Sequence, residues 1–402
     1  MKTTPIVVSA LLAISVPRLF AVNYSVTDLG TLPGDLSSIA YGINANGQIV
    51  GFSSPYASGL TPGHAFIYSN GIMTALPASA YGNSEAHAVN NSGQVAGLNG
   101  QDACFWSAGA ITDLGNMGGS YCMAFGINDS GEIVGYGGTN GYGNMAFLYS
   151  NGVMTALGTL VGGGSGAFGI NNAGQITGWA FTRNGQPLHA FLYSAGTMSD
   201  LTPRALSQSE GRGINDKGQV VGAGDLGNGQ THAFLYSGGT MTDLGTLHGY
   251  VRSEAYAINE TGQVVGTCDN YSGPNHAFIY DKGTMTDLNN LISPNSGWVL
   301  QVAEGINDNG QIVGYGINPK SQTHAFLLTP YNPQTLSSSV SNSNLVISWP
   351  TNTIEFTLFQ NSTFTKGNWV AVTNTPTVTN GQNQVVISGP LVGNCFYRLQ
   401  SN

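Results

Sequence analysis

An all-β fold is what the sequence predicts, and three observations predict it. The first is repetition. A phrase reading Tyr41-Gly-Ile-Asn-Ala-Asn-Gly-Gln-Ile-Val-Gly51 returns in versions beginning at His87, Phe125, Phe168, Arg212, Tyr256 and Glu304. Its asparagine recurs as Asn44, Asn90, Asn128, Asn171, Asn215, Asn259 and Asn307, at steps of 46, 38, 43, 44, 44 and 48 residues. The second is a companion phrase after each copy, His64-Ala-Phe-Ile-Tyr-Ser-Asn-Gly-Ile-Met-Thr-Ala-Leu76 in the first repeat. The third is a permuted pair of ends. The seventh copy stops near Thr329 without its Met-Thr-Asp-Leu strand, while Tyr24-Ser-Val-Thr-Asp-Leu-Gly-Thr-Leu32 is such a strand without its repeat. Four short strands per unit of about 44 residues is the pattern of a propeller blade. The expectation is a seven-bladed β-propeller at residues 22–333, closed by its N-terminal strand so that no sheet edge is left open. An open β-solenoid, the other repeat architecture, leaves the permuted ends unexplained.

Taken in chain order, residues 1–21 read as a signal peptide. Lys2 is a small basic start, and Ile6 to Val16 is an apolar run too short to span a bilayer. Leu19-Phe20-Ala21 offers the cleavage site. The other reading is an uncleaved anchor or a buried strand. Cleavage would leave 9 basic against 20 acidic residues, a formal charge of −11. Such a surface disfavours nucleic acid and anionic membranes, and no later segment is long and apolar enough to span one.

Within each repeat, composition favours strands. Glycine is abundant at 58 of 402 residues and charged residues are scarce at 8%, which excludes charged helical bundles and charge-driven disorder. In the third repeat the strands fall at Ala124–Ile127, Glu132–Tyr136, Ala146–Tyr149 and Val153–Leu157. Asn-Asp-Ser-Gly joins the first pair and Ser-Asn-Gly the second, because Asn and Gly tolerate the positive φ of tight turns. The last 69 residues, 334–402, lose the repeat. Leu345–Trp349, Glu355–Gln360, Trp369–Val372, Gln384–Ile387 and Phe396–Leu399 alternate like strands around a turn at Asn380-Gly381, which reads as a small β-sandwich.

The paired phrases resemble the HAF-repeat proteins, a group of bacterial extracellular repeat proteins. The triplet stands here at His64, His189, His232, His276 and His324, and copies two and three depart from it with Asp102-Ala-Cys and Asn144-Met-Ala-Phe. The resemblance implies a repeat fold and an extracellular location, and brings no catalytic residues. The tail, with its Ser-Trp-Pro start and Phe-Tyr-Arg-Leu end, resembles the short C-terminal domain of secreted Verrucomicrobia-type proteins, which implies attachment, sorting or accessory binding.

Several motifs invite chemistry and lack its requirements. The repeated histidine belongs to the repeat, with an aspartate of the following strand as hydrogen-bond partner: His189, His232 and His276 with Asp200, Asp243 and Asp287, and His324 with Asp28 through closure. His64 faces Ala75 and breaks that rule. The Asn-rich turns lack the acidic first ligand of a calcium loop. Gly222-Ala-Gly224-Asp-Leu-Gly227 lacks the following helix that a dinucleotide fingerprint needs, and Gly163-Gly-Ser165-Gly-Ala167 fails the nucleophile-elbow pattern. Cys104, Cys122, Cys268 and Cys395 match no zinc spacing. Cys104 and Cys122, in neighbouring repeats, are either a disulfide or two buried hydrophobes. No cofactor or metal is expected.

The remaining candidates lie on the connections that vary between repeats. Glu85, Glu210 and Glu254 occupy one repeat position, with Arg212, Arg252 and Tyr250 nearby and Trp298 in the last long connection. Carboxylates beside aromatics suit sugar rings and their hydroxyls. The expectation is a secreted, non-catalytic module that binds a polysaccharide or surface protein. The alternative is a glycoside hydrolase or polysaccharide lyase using two of those carboxylates, which would have to flank one cleft.

Overall fold

The computed structural model describes residues 23–57, 63–78, 83–140, 143–182, 187–202, 207–225, 230–271, 273–331, 336–341, 344–350, 356–361, 369–379, 382–388 and 396–401. The expected signal segment, Cys395 and the Asn380-Gly381 turn lie outside them. The chain divides into two compact units, of which one is Tyr24–Pro330 and the other includes Tyr331–Asn402. Among the described residues, apart from one turn of 3-10 helix at Leu288–Asn290, the elements are all strands.

In Tyr24–Pro330 each repeat makes a four-stranded sheet whose neighbours pair in sequence order. The first is Ser37–Ile43, Ile49–Ser54, His64–Ser69 and Ile72–Ala75. Their pairing is antiparallel, as the tight turns dictate. The third repeat follows the expected strands, with its first extended to Gly118–Ile127. The seventh repeat supplies three strands, Val299–Ile306, Ile312–Ile317 and Thr323–Tyr331, and the N-terminal strand Asn23–Asp28 lies beside the last of them.

One irregularity recurs in every repeat. The first strand of each sheet carries a β-bulge that skips one residue, between Ala40 and Gly42, Ala86 and Ala88, Ala124 and Gly126, Ala167 and Gly169, Gly211 and Gly213, Ala255 and Ala257, and Ala303 and Gly305. The skipped residues are Tyr41, His87, Phe125, Phe168, Arg212, Tyr256 and Glu304. A bulge turns the extra side chain away from the regular alternation. It also brings a carbonyl against the facing strand, so a Cβ on Gly178 would lie 1.9 Å from the Gly166 oxygen, and one on Gly222 1.8 Å from the Glu210 oxygen. This explains the glycine at the same place in every repeat: Gly51, Gly97, Gly135, Gly178, Gly222, Gly266 and Gly314.

Two buried side chains recur among those that stitch sheet to sheet, besides the exposed residue after each repeated asparagine from Asn90 on, which accepts the equivalent N–H of the repeat before it. The repeated asparagine is buried and satisfies all its hydrogen-bonding groups. Asn171 Nδ2 donates to Gln175 Oε1 at 2.8 Å and to the Asn215 carbonyl at 2.9 Å, while its Oδ1 accepts from the N–H groups of Ala173 and Gln175. The same inter-sheet bond runs from Asn44 through to Asn259, and Asn307 Nδ2 donates to the Asn44 carbonyl at 3.0 Å. A serine opening the first strand does the second job. Ala65, Ala146, Ala190, Ala233 and Ala325 donate their N–H to Oγ of Ser84, Ser165, Ser209, Ser253 and Ser38. Between sheets the cores are apolar, as where Ala40, Ile49 and Phe66 meet Val313 and Ala325.

The histidines meet their aspartates. His189, His232 and His276 place Nδ1 at 2.8, 3.0 and 2.7 Å from Asp200, Asp243 and Asp287, and His324 lies 2.8 Å from Asp28. His64 finds a substitute, Asp35, at 3.2 Å. Burial alone would raise the Asp28 carboxyl, but His324, the Gly30 N–H and Asn318 together hold it below its ordinary value. Cys104, Cys122 and Cys268 are buried free thiols, so the disulfide alternative for the first two does not hold.

In the second unit, Ser337–Ser341, Asn344–Pro350, Gln382–Ile387 and Thr377–Thr379 form a four-stranded sheet, and Val370–Ala371, Phe356–Asn361 and Phe396–Ser401 a three-stranded one. Ile347, Trp349 and Val385 from the first sheet and Leu358 from the second share one buried cluster.

Candidate functional site

The bulged residues touch one another in order. Tyr41 meets His87 edge-on at 5.2 Å, His87 stacks on Phe125 at 4.7 Å, and Phe125 meets Phe168 at 5.2 Å. The Arg212 guanidinium lies 4.5 Å over the Phe168 ring and 5.9 Å from that of Tyr256. Seven backbones of one shape thus gather five kinds of side chain: two tyrosines, two phenylalanines, and the histidine, arginine and glutamate that can carry charge.

Glu304 completes the series. Burial is the largest influence on its carboxyl and raises it; Arg212 opposes that and Glu254 adds to it, leaving the group at about 7. Burial, then Glu254 and Glu304, likewise pushes up the Tyr256 hydroxyl. A carboxyl raised in the fold costs stability as it ionises. The native state holds the extra proton from the unfolded value near 4.3 up to about 7. Stability therefore falls with rising pH across that window and is level above it. Glu304→Gln is expected to stabilise the protein by up to about 3 kcal/mol above pH 7 and by little below pH 4, read from denaturation at the two pH values. A gain that does not change with pH would sink this account.

Two residues before the bulge stand the three glutamates. They lie in the strands Ser84–Val89, Gln208–Ile214 and Arg252–Ile258, not in the connecting loops. Each has a partner. Glu85 Oε2 lies 3.2 Å from His87 Nε2, and Glu210 Oε2 lies 3.0 Å from an Arg212 nitrogen. Glu254 lies 2.9 Å from Arg252 and accepts the Tyr256 hydroxyl at 3.0 Å. Arg252 also reaches Asp269 at 3.6 Å. Of the seven expected site residues, Glu210, Arg212, Arg252 and Glu254 line one cavity of about 180 Å³, together with Gln208 and Asp225.

The other three do not line it. Glu85 belongs to the second repeat. Tyr250 packs against the core between the fifth and sixth repeats and leans on His276 at 5.3 Å. Trp298 packs against the core of the last sheets and meets Phe326 edge-on. Both rings are anchors of the connecting segments. An aromatic beside one of the lining residues is Tyr271, two-thirds exposed, with its ring 5.0 Å from the Arg252 guanidinium. Its φ of 63° puts it in the left-handed region, held by its N–H on Asp269 Oδ1. Nothing in the repeat pattern marks it; its sequence signal is only an Asp-Asn-Tyr before Gly273.

A family model described as a protein of unknown function, DUF3466, matches residues 245–326. No curated protein matches the chain. Among solved structures, a gluconolactonase from Xanthomonas campestris is 10% identical over 77% of this chain and 90% of its own, with a TM-score of 0.40. A putative TolB from Agrobacterium tumefaciens is 11% identical over 78% and 99%, with a TM-score of 0.39. A lectin from Aleuria aurantia in complex with Fucalpha1-6GlcNAc is 11% identical over 75% and 97%, with a TM-score of 0.36. With TM-scores below 0.5, none of the three carries an argument about this chain. Among the described residues no helix is long and apolar enough to cross a membrane.

Proposed function

We propose that the protein is a secreted, non-catalytic binding module: a closed seven-bladed β-propeller of HAF type at residues 22–333 with a β-sandwich tail, recognising an extracellular polysaccharide. Closure is supported by the hydrogen bond from Asn307 back to Asn44 and by the N-terminal strand beside Thr323–Tyr331. The observation that carries the binding role is the cavity walled by two glutamate–arginine pairs. Paired ions held in fixed geometry present acceptors and donors side by side, which suits the hydroxyls of a sugar. Tyr271 supplies an exposed ring beside them.

The same pairing disfavours the hydrolase alternative. A glycosidase acid must hold a proton until the leaving group needs it. Glu210 and Glu254 are each engaged by a guanidinium, and Glu304, whose carboxyl does hold a proton near neutrality, does not line the cavity.

The test is a polysaccharide array with the full chain and Glu254→Gln. The variant keeps the shape, loses the ion pair, and should bind about tenfold more weakly or worse, the loss of one charge-assisted hydrogen bond. Cleavage of any bound polysaccharide would overturn the non-catalytic reading. Retention of a protein ligand with no glycan signal would replace the polysaccharide with a surface protein.

A further inference from the structure

The second repeat departs from its sisters at three positions, and the three fall together. Where five other repeats have the histidine of the His-Ala-Phe phrase, it has Asp102. Where the other six have the buried phenylalanine, it has Cys104. Where five others have the methionine of the next strand, it has Ile111. The aspartate that elsewhere meets the histidine is kept as Asp113, paired across the strands with Cys104 as Asp200 is with Phe191. A cavity of about 750 Å³ opens at this place, lined by Asp102, Cys104, Ile111 and Asp113 with the amides of Asn99 and Gln101.

Each substitution explains one property of the cavity. Exchange of a phenylalanine for a thiol shrinks the side chain at that position, and isoleucine in place of methionine shortens the reach of its neighbour on the next strand. Exchange of histidine for aspartate puts a second carboxylate at the repeat position whose imidazole elsewhere meets the first, and both carboxylates line the cavity. Both carboxylates lie close enough to Cys104 to act on it: burial, then Asp113 and Asp102, pushes that thiol well above its ordinary value, so it is no nucleophile. The described walls hold no lysine, arginine or histidine. The volume is that of a small-molecule site, and its charge asks for a cation.

We propose that this cavity of the second repeat binds a small organic cation, a primary ammonium on a short apolar stem, whose N–H donors take the place of the missing imidazole between Asp102 and Asp113. Ile111 and the neutral thiol accommodate the stem, and the amides of Asn99 and Gln101 offer further acceptors. The site is separate from the cavity at Glu210 and Glu254 and does not depend on what binds there.

The test is calorimetry on the full chain with three probes: cadaverine, the neutral pentanediol of the same length, and calcium. Cadaverine is expected to bind at one site, and the diol and calcium are not. Asp102→Asn keeps the shape, removes one charge, and should weaken cadaverine about tenfold or more, as for loss of a charged hydrogen bond. The pair Asp102→His with Cys104→Phe restores the repeat and fills the space; it should abolish binding and raise Tm. No heat with cadaverine, equal binding of the diol, binding of calcium in its place, or unchanged affinity in Asp102→Asn would each overturn the proposal.

Discussion

Replacing Asn171 with alanine is expected to destabilise the protein by about 3–5 kcal/mol, because several buried polar groups lose their partner at once. The side chain is almost fully buried. Its removal strands the N–H groups of Ala173 and Gln175 on its own turn and the carbonyl of Asn215 on the next sheet. Asn171→Asp should cost at least as much. It keeps the acceptor, loses both donors, and sets a carboxylate against the Asn215 carbonyl. The control is Asn172→Ala, one residue on and exposed, whose bonds to Asp129 and Asp216 lie in solvent; it should cost under about 1 kcal/mol. Urea denaturation of the three variants decides it. Equal losses at 171 and 172 would mean that the buried inter-sheet bond contributes no more than the exposed inter-sheet bonds of Asn172.

Removing Asn23–Asp28 should have a larger effect still. Tyr24 is buried in the core of the last sheets and donates its N–H to the Leu291 carbonyl. Asp28 holds both His324 and Asn318. Loss of one buried aromatic costs about 3–5 kcal/mol by itself, and the strand Thr323–Tyr331 would be left as an unpaired edge. Since whole domains are stable by only about 5–15 kcal/mol, the shortened chain is expected to lose cooperative unfolding or to aggregate. A peptide of residues 23–32 added in trans should restore part of the lost transition. A shortened chain that melts within a few degrees of the parent would show the strand to be dispensable, and closure with it.

How far the sequence discloses this protein varies with the scale of the question. Repeated residues report repeated backbone, so the four strands per repeat, the tight turns and even the contact of His324 with Asp28 are readable from spacing alone. The bulge is readable only in part. Its glycine recurs and is visible, whereas the residue it presents changes from Tyr41 to His87 to Arg212 and looks like noise. Glu210 and Glu254 stood out because they share a repeat position, and they do share a cavity. Tyr250 and Trp298 stood out for being aromatic, and an isolated aromatic in a connection serves as an anchor as readily as a contact surface. Tyr271 escaped because its exposure arises from a left-handed turn that no repeat encodes. The cavity of the second repeat is legible in retrospect as the departures at Asp102 and Cys104, once the partner strand shows that they face the same space.

The seven bulges have a consequence for change over time. At each, the conformation is fixed by main chain and by a glycine on the neighbouring strand, while the side chain presented answers to neither. Tyrosine, histidine, phenylalanine, arginine and glutamate are all accommodated by the same backbone. Substitutions there vary the chemistry of the assembled cluster while leaving the asparagine and serine bonds between the sheets in place. The scaffold and its lettering are separable, and new binding preferences are open to a lineage of such proteins one letter at a time.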